Sequence, residues 1–288
     1  MRVLVTGVKG QLGYDVVNEL KNRNHEVIGV DIAEMDITDK SAVYCVIGEV
    51  KPDAVIHCAA WTAVDAAEDP SNHEKVMKIN ADGTRYIAEA CKILNAKMMY
   101  ISTDYVFNGQ GDIPWQPDCK EYAPLNVYGE SKLDGEKAVS ETLNHYFIVR
   151  IAWVFGKNGN NFIKTILKLS DTHETLRVVN DQIGTPTYTY DLARLLVDMV
   201  ETERYGYYHA TNEGGYISWA DFAREILRQA EKNTQVISVT TEEYGLSKAK
   251  RPFNSRLDKS KLISAGFKPL PIWQDALARY LTVLKENV

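Results

Sequence analysis

Tyr128 and Lys132 stand four residues apart at the head of segment 132–139, whose apolar spacing predicts a helix. Residues four apart on a helix share a face. A phenol titrating near pH ~10 is a poor proton shuttle at neutral pH; a neighbouring ammonium favours the phenolate, each unit of lowering being worth about 1.4 kcal/mol. Upstream, an expected strand ends in Thr103, whose hydroxyl can hold a reacting oxygen where charge changes. Further upstream the first strand runs straight into Gly7, Gly10 and Gly13. At such a junction one glycine permits a tight turn, another lets backbone amides approach a pyrophosphate, and the third brings helix and sheet close. A nucleotide loop, a strand-end hydroxyl and a phenol–ammonium pair suit one chemistry: hydride transfer to or from a nicotinamide, with the tyrosine handling the proton. The catalytic expectation is Tyr128, Lys132 and Thr103.

Context gives the pair its meaning, since Tyr244 and Lys248 repeat the spacing. That second pair runs into Lys250-Arg251-Pro252 with no strand-end hydroxyl before it, and reads as a surface loop. For the cofactor, Gly7, Gly10, Gln11, Leu12 and Gly13 form the phosphate loop, and Asp31 closes the second strand, where an acidic residue meets an adenosine ribose. Asp36 and Ile37 fall where the chain can close over the adenine, while Thr38 or Asp39 can cap the next helix. Ala59, Ala60 and Trp61 follow a strand with small residues that leave room for the cofactor, or for close strand–helix packing. Tyr128 and Lys132 complete the cofactor set, Lys132 by reaching the nicotinamide ribose. Asp31 favours a free 2′-hydroxyl and Lys9 a 2′-phosphate, so use of both NADP(H) and NAD(H) is expected.

Elements must position these groups. Short β-branched runs at 2–5, 26–30, 54–57, 97–102 and 146–151 alternate with helical spacing. This calls for an α/β fold, a Rossmann-type doubly wound parallel sheet. After residue 151 the rhythm changes: a polar break at 158–161, a helix near 162–169, a strand at 176–179, a helix near 190–199 and a strand at 207–210. From Ser218 onward the spacing reads as mainly helical. The expected division is a dinucleotide-binding domain at 1–155, to which about 185–210 returns, and a smaller, mostly helical substrate lobe from 156–184 and 211–288.

Bulk properties narrow the classes. In 288 residues, 45% apolar content with mixed charge describes an ordinary soluble chain, and a net charge of −6 argues against nucleic acid as partner. The four cysteines show neither Cys-x-x-Cys nor metal-ligand spacing. No membrane span and no leader are expected, so the expected compartment is the cytoplasm.

The ordered motifs make the chain similar to a known group. They are Thr6-Gly7 with Gly10-Gln11-Leu12-Gly13, Ala59-Ala60-Trp61-Thr62-Ala63-Val64-Asp65 with Ala67-Glu68, and Ser102-Thr103-Asp104-Tyr105-Val106-Phe107 with Gly109. Tyr128-Gly129 with Ser131-Lys132, Arg150 with Ala152-Trp153, Asp181-Gln182 with Gly184 and Pro186-Thr187, and Arg251-Pro252 with Ser255 and Leu257 complete them. Nearly end to end, the chain resembles the extended short-chain dehydrogenase/reductase superfamily and, within it, the dTDP-4-dehydrorhamnose reductases. The resemblance implies reduction of the 4-keto group of dTDP-4-dehydro-L-rhamnose, with Tyr128 as proton donor, Lys132 as its activator and Thr103 as carbonyl ligand. It implies Asp104 and Trp153 along the sugar, and Arg251 and Ser255 of the second lobe toward the nucleotide-sugar. Arg251 suits a diphosphate, or a surface salt bridge. Some members are dimers bridged by magnesium; here Asp15 and Asp191 offer carboxylates, but Gln274 stands where a third is expected, so no metal is assigned and a homodimer is left open. Related dehydratases carry Asp-Glu after the threonine because elimination needs an extra carboxyl; Tyr105 in that place argues against dehydration. A 4-epimerase and a non-catalytic regulatory subunit remain as alternatives.

Overall fold

The computed structural model describes residues 1–286. Its first half alternates strand and helix: β1 (Arg2–Thr6), α1 (Gln11–Asn22), β2 (Glu26–Val30), α2 (Lys40–Val50), β3 (Ala54–His57), α3 (Val64–Ala67), α4 (Pro70–Met77), α5 (Gly83–Leu94), β4 (Lys97–Thr103), α6 (Val127–Thr142) and β5 (Tyr146–Ile151). The second half comprises β6 (Val154–Phe155), α7 (Phe162–Ser170), β7 (Thr175–Val179), β8 (Ile183–Gly184), β9 (Thr187–Tyr188), α8 (Thr189–Val200), β10 (Gly206–His209), β11 (Ile217–Ser218), α9 (Trp219–Gln229), β12 (Gln235–Val239), α10 (Thr241–Tyr244), α11 (Ser260–Ser264) and α12 (Trp273–Lys285).

The main sheet is parallel throughout, in the order β10-β5-β4-β3-β1-β2. Its strands are apolar on both faces because helices cover both. Val3, Val5, Ile56, Met99 and Val149 pack with Val16 and Leu20 of α1 and Leu192 and Leu196 of α8. Their alternates Leu4, Val55, Met98, Tyr100 and Ile148 pack with Val43 and Ile47 of α2, Ile87 of α5 and Val139 of α6. The strand order reverses between β1 and β3, which opens a crevice beyond their carboxyl ends, where ligands of such sheets sit.

A second core joins Ile163 and Ile166 of α7, Leu176 and Val178 of β7, Phe222 and Ile226 of α9, and Leu277 and Tyr280 of α12. The region after Ser218 is mainly helical, as expected, and holds one strand not read from the sequence: β12 pairs in parallel with β7, Val236 opposite Leu176 and Ser238 opposite Val178. The alternation in Gln235–Val239 carried that signal, but an isolated five-residue strand needs its distant partner to be recognised. Among the described residues no helix is long and apolar enough to cross a membrane.

Candidate active site

Two adjoining cavities open at the carboxyl ends of the strands. The first, about 420 Å³, is lined by Gly7, Asp31, Asp36, Ile37, Ala59 and Ala60, and also by Ser71, Glu74, Lys75 and Lys78. The second, about 430 Å³, shares Gly7 and Ala60 with it and adds Gly10, Gln11, Leu12, Gly13, Thr103, Asp104, Tyr128, Lys132 and Trp153.

The glycine loop is built for close approach. Gly7 adopts φ +68°, and a Cβ there would lie 2.8 Å from the Ala59 backbone. A Cβ on Gly13 would lie 2.3 Å from the Gly7 carbonyl oxygen, so helix α1 could not seat against the turn. Gly10 is the N-cap of α1 and no side chain caps it, which leaves the first-turn amides toward the cavity that Gln11, Leu12 and Gly13 line. The Asp31 carboxylate accepts the Lys9 amide at 3.0 Å and the Ile32 amide at 2.9 Å, bracing the loop while bordering the cavity. Asp36 accepts both the amide and the hydroxyl of Thr38. The Ala59 amide donates to the Thr6 hydroxyl at 3.1 Å. Trp61 stands apart from the rest of its set: it lines neither cavity, its amide donating to Asn80 Oδ1 at 2.8 Å and its indole N–H to the Ala63 carbonyl at 3.0 Å.

The reacting groups come from β4 and α6. Asn126 caps α6 by accepting the Gly129 amide at 2.8 Å, so the helix begins just before Tyr128 and sets Tyr128 and Lys132 on one face. Thr103 donates to Asp104 Oδ1 at 3.0 Å. Asp104 is 2% exposed, and the Ser255 hydroxyl faces its carboxyl without a well-formed hydrogen bond to Oδ2. Burial pushes this carboxyl up to about 6, against the opposing pull of the Ser255 and Thr103 hydroxyls.

Tyr128 keeps part of its surface open to the cavity but is surrounded by protein, and this desolvation pushes the phenol well above its ordinary range, with Thr103 pulling the other way. Lys132, 3% exposed, is pushed down to about 7 by burial, which the Glu136 carboxylate one turn along opposes. Its Nζ lies 4.0 Å from the centroid of the Tyr100 ring. Desolvation is the largest influence on both groups, and Lys132 does not figure among the neighbours that shift the phenol.

Trp153 sits at φ +51°, a left-handed conformation uncommon for a bulky residue. Its indole stacks on Trp219 at 3.7 Å between centroids, which fixes it against the head of α9. A Cβ on Gly184 would lie 2.9 Å from that indole and 3.1 Å from Ser255 Cβ, so Ser255 and Trp153 meet across Gly184. Arg251 borders a neighbouring cavity of about 440 Å³ with Asp65, Phe162, Trp219, Tyr244 and Ser247. Its Nη2 pairs with Asp65 at 2.7 Å, while Nη1 and Nε make longer contacts to the Tyr105 hydroxyl at 3.3 Å and Ser247 at 3.4 Å. Tyr244 ends α10 against Gly245, and Lys248 lies beyond it on the surface, so the repeated spacing is not a pair on one helix.

Of the carboxylates considered for a metal, Asp15 accepts the Thr189 hydroxyl, and Asp191 is held by both guanidinium nitrogens of Arg279 and by Asn212. Gln274 Oε1 is buried without a partner among the described residues. Two contributors were not read from the sequence. Asn80, in a π-turn at Lys78–Asp82, holds Trp61 and donates to Ser131 Oγ at 2.9 Å, tying that turn to α6. Tyr105 packs edge-on to Tyr128, ring centroids 5.5 Å apart. A polar residue inside a helical pattern was the available signal for Asn80; Tyr105 was read only as an argument against dehydration, and nothing in the sequence announced its packing on Tyr128.

Residues 1–286 match the RmlD substrate binding domain family. The chain is 41% identical over 280 residues to the spore coat polysaccharide biosynthesis protein SpsK of Bacillus subtilis, covering 97% of this chain and 96% of that one. It is 40% identical over 290 residues to dTDP-4-dehydrorhamnose reductase of Aggregatibacter actinomycetemcomitans, covering 96% and 97%. A crystal structure of dTDP-4-dehydrorhamnose reductase from Bacillus anthracis, in complex with NADP, superposes with a TM-score of 0.93 at 41% identity, covering 98% of this chain and 99% of that one. With a family match along the described chain and relatives of this identity and coverage, the chain belongs to the RmlD substrate binding domain family.

Proposed function

We propose that the protein reduces the 4-keto group of dTDP-4-dehydro-L-rhamnose to dTDP-L-rhamnose, using NADPH or NADH, in the cytoplasm. The observation that carries the reading is one cavity lined by the glycine loop, Thr103, Asp104, Tyr128, Lys132 and Trp153. A dinucleotide suits the chain's own residues: the amides of α1 for its phosphates, Asp31, Asp36 and Ile37 at the adenosine, and Lys132 toward the nicotinamide ribose. When bound, the reduced nicotinamide supplies the hydride. Lys75 lines the same cavity as Asp31 and favours tolerance of a 2′-phosphate, in keeping with use of both cofactors, while Lys78 there is paired with Glu74.

In this reading the Thr103 hydroxyl turns from Asp104 to the keto oxygen and holds it with Tyr128, whose hydroxyl gives it a proton as it takes up negative charge. Burial keeps the Tyr128 phenol protonated in the free protein, so the proton that a reduction requires is in place; its transfer is driven by the negative charge that builds on the keto oxygen. Asp104 and Trp153 line the sugar. Ser255 supports Asp104, and Arg251 contributes a cation to the diphosphate. Residues 1–155 with 185–210 would serve the cofactor, and 156–184 with 211–288 the nucleotide-sugar.

The test is loss of nicotinamide absorbance with dTDP-4-dehydro-L-rhamnose and with other 4-keto sugar nucleotides. Preferential turnover of the first supports the reading. Interconversion of 4-epimers with a cofactor that survives purification would favour an epimerase instead.

A further inference from the structure

Three side chains link the second lobe to the residue before Tyr128. Asp65, on α3, accepts the amides of Lys248 and Ala249 at 3.1 and 3.0 Å on one oxygen and Arg251 Nη2 at 2.7 Å on the other. Glu68, beside the same short helix, accepts the Val127 amide at 2.9 Å, the first of α6. Asn126 works in both directions: its Oδ1 caps Gly129 at 2.8 Å, and its Nδ2 donates to the Lys250 carbonyl, also at 2.8 Å. The first turn of α6 has little room to shift. A Cβ on Gly129 would lie 2.4 Å from the Tyr105 carbonyl oxygen, and the Tyr105 hydroxyl meets Arg251.

We propose that Asn126 and Asp65 are positioning residues that make the placement of Tyr128 depend on how segment 248–251 of the second lobe is seated. The proposal rests on Tyr128 being the proton donor. Segment 248–251 carries Arg251 and continues to Ser255 beside Asp104, so a substrate gripped by the second lobe would steady the donor through Asn126. A cap whose only task was to start a helix would need Oδ1 alone; the Nδ2 bond to Lys250 has no such purpose.

Asn126→Ser separates the two tasks, because serine is also a good N-cap but is too short to reach Lys250. We expect kcat to fall about tenfold, as misplacement of a reacting group produces. The KM for cofactor and the melting temperature should hardly change. Asp65→Asn should produce a loss of the same kind, and the double variant should lose no more than the worse single one, since both act through one segment. Independently of turnover, amide exchange at 127–131 should quicken in Asp65→Asn, although the Asp65 carboxylate bonds nothing on α6. Unchanged kcat in Asn126→Ser, additive losses in the double variant, or unaltered exchange would overturn the proposal. Wild-type turnover and its loss in Tyr128→Phe report separately on the underlying reading, so failure of one is distinguishable from failure of the other.

Discussion

Burial moves the two groups on the working face of α6 in opposite directions, raising the Tyr128 phenol and lowering the Lys132 ammonium to about 7. Below that pH the lysine is charged in both states, and the folded protein bears the whole desolvation cost. Between about 7 and 10.5 the unfolded chain holds more protons, so stability from this group rises with pH. Lys132→Met should therefore melt higher than wild type below pH 7, the advantage shrinking toward pH 10; a difference independent of pH would contradict this. Asp104 behaves in the mirror sense. With its carboxyl raised from 3.8 to about 6, the folded state is penalised above 6 and relieved as pH falls toward 3.8. Asp104→Asn should stabilise at neutral pH and lose that gain through this window, as thermal melts across pH would reveal. The identities of Thr103, Tyr128 and Lys132 were legible because each follows a strand or opens a helix in order. The dominance of desolvation at both groups was not, because it depends on what tertiary packing puts around each of them.

At the scale of elements, α6 is held at both ends of its working stretch. Its head is fixed by Asn126 and Glu68. One turn beyond Lys132, Glu136 forms a fully buried bidentate pair with Arg150 of β5, at 2.8 and 2.7 Å. Arg150 also donates to the Pro117 carbonyl and the Tyr122 hydroxyl, so the loop between β4 and α6 hangs on the same guanidinium. Removing one partner of such a pair leaves a buried charge, and Arg150→Met should cost about 3–5 kcal/mol in denaturant unfolding. A loss under about 1 kcal/mol would mean that water reaches Glu136. The motif Arg150 with Ala152-Trp153 was visible as residue types, but its partner lies on another element, and neither spacing nor periodicity announces it. The same applies to Asp65: its motif was evident, and its grip on 248–251 was not. The main strands were read within a residue because parallel strands buried on both faces are continuous apolar runs, whereas β12 pairs far from its sequence neighbours.

Over the whole molecule, the main sheet and the helices packed on it supply the glycine loop, Thr103 and the Tyr128–Lys132 face, while Arg251 and Ser255 come from the segment between α10 and α11. Arg251 is not free: its strongest contact is with Asp65, so its proposed part in binding a diphosphate involves the atoms with looser contacts, Nη1 and Nε. Arg251→Ala is expected to raise the KM for the nucleotide-sugar about tenfold, about 1.4 kcal/mol. Affinity for the cofactor should stay put, because Arg251 lines neither cavity of the glycine loop. A fall in cofactor affinity, or no change in KM, would return Arg251 to a salt bridge with Asp65. The most direct test of the account as a whole compares wild type and Tyr128→Phe in single-turnover reduction of dTDP-4-dehydro-L-rhamnose by NADPH and by NADH, followed at the nicotinamide absorbance. Wild type should reduce the substrate with either cofactor, and the variant should bind both ligands while its chemical step slows by a factor of about 10² or more. Equal rates in the two proteins, or no reduction by wild type with either cofactor, would contradict it.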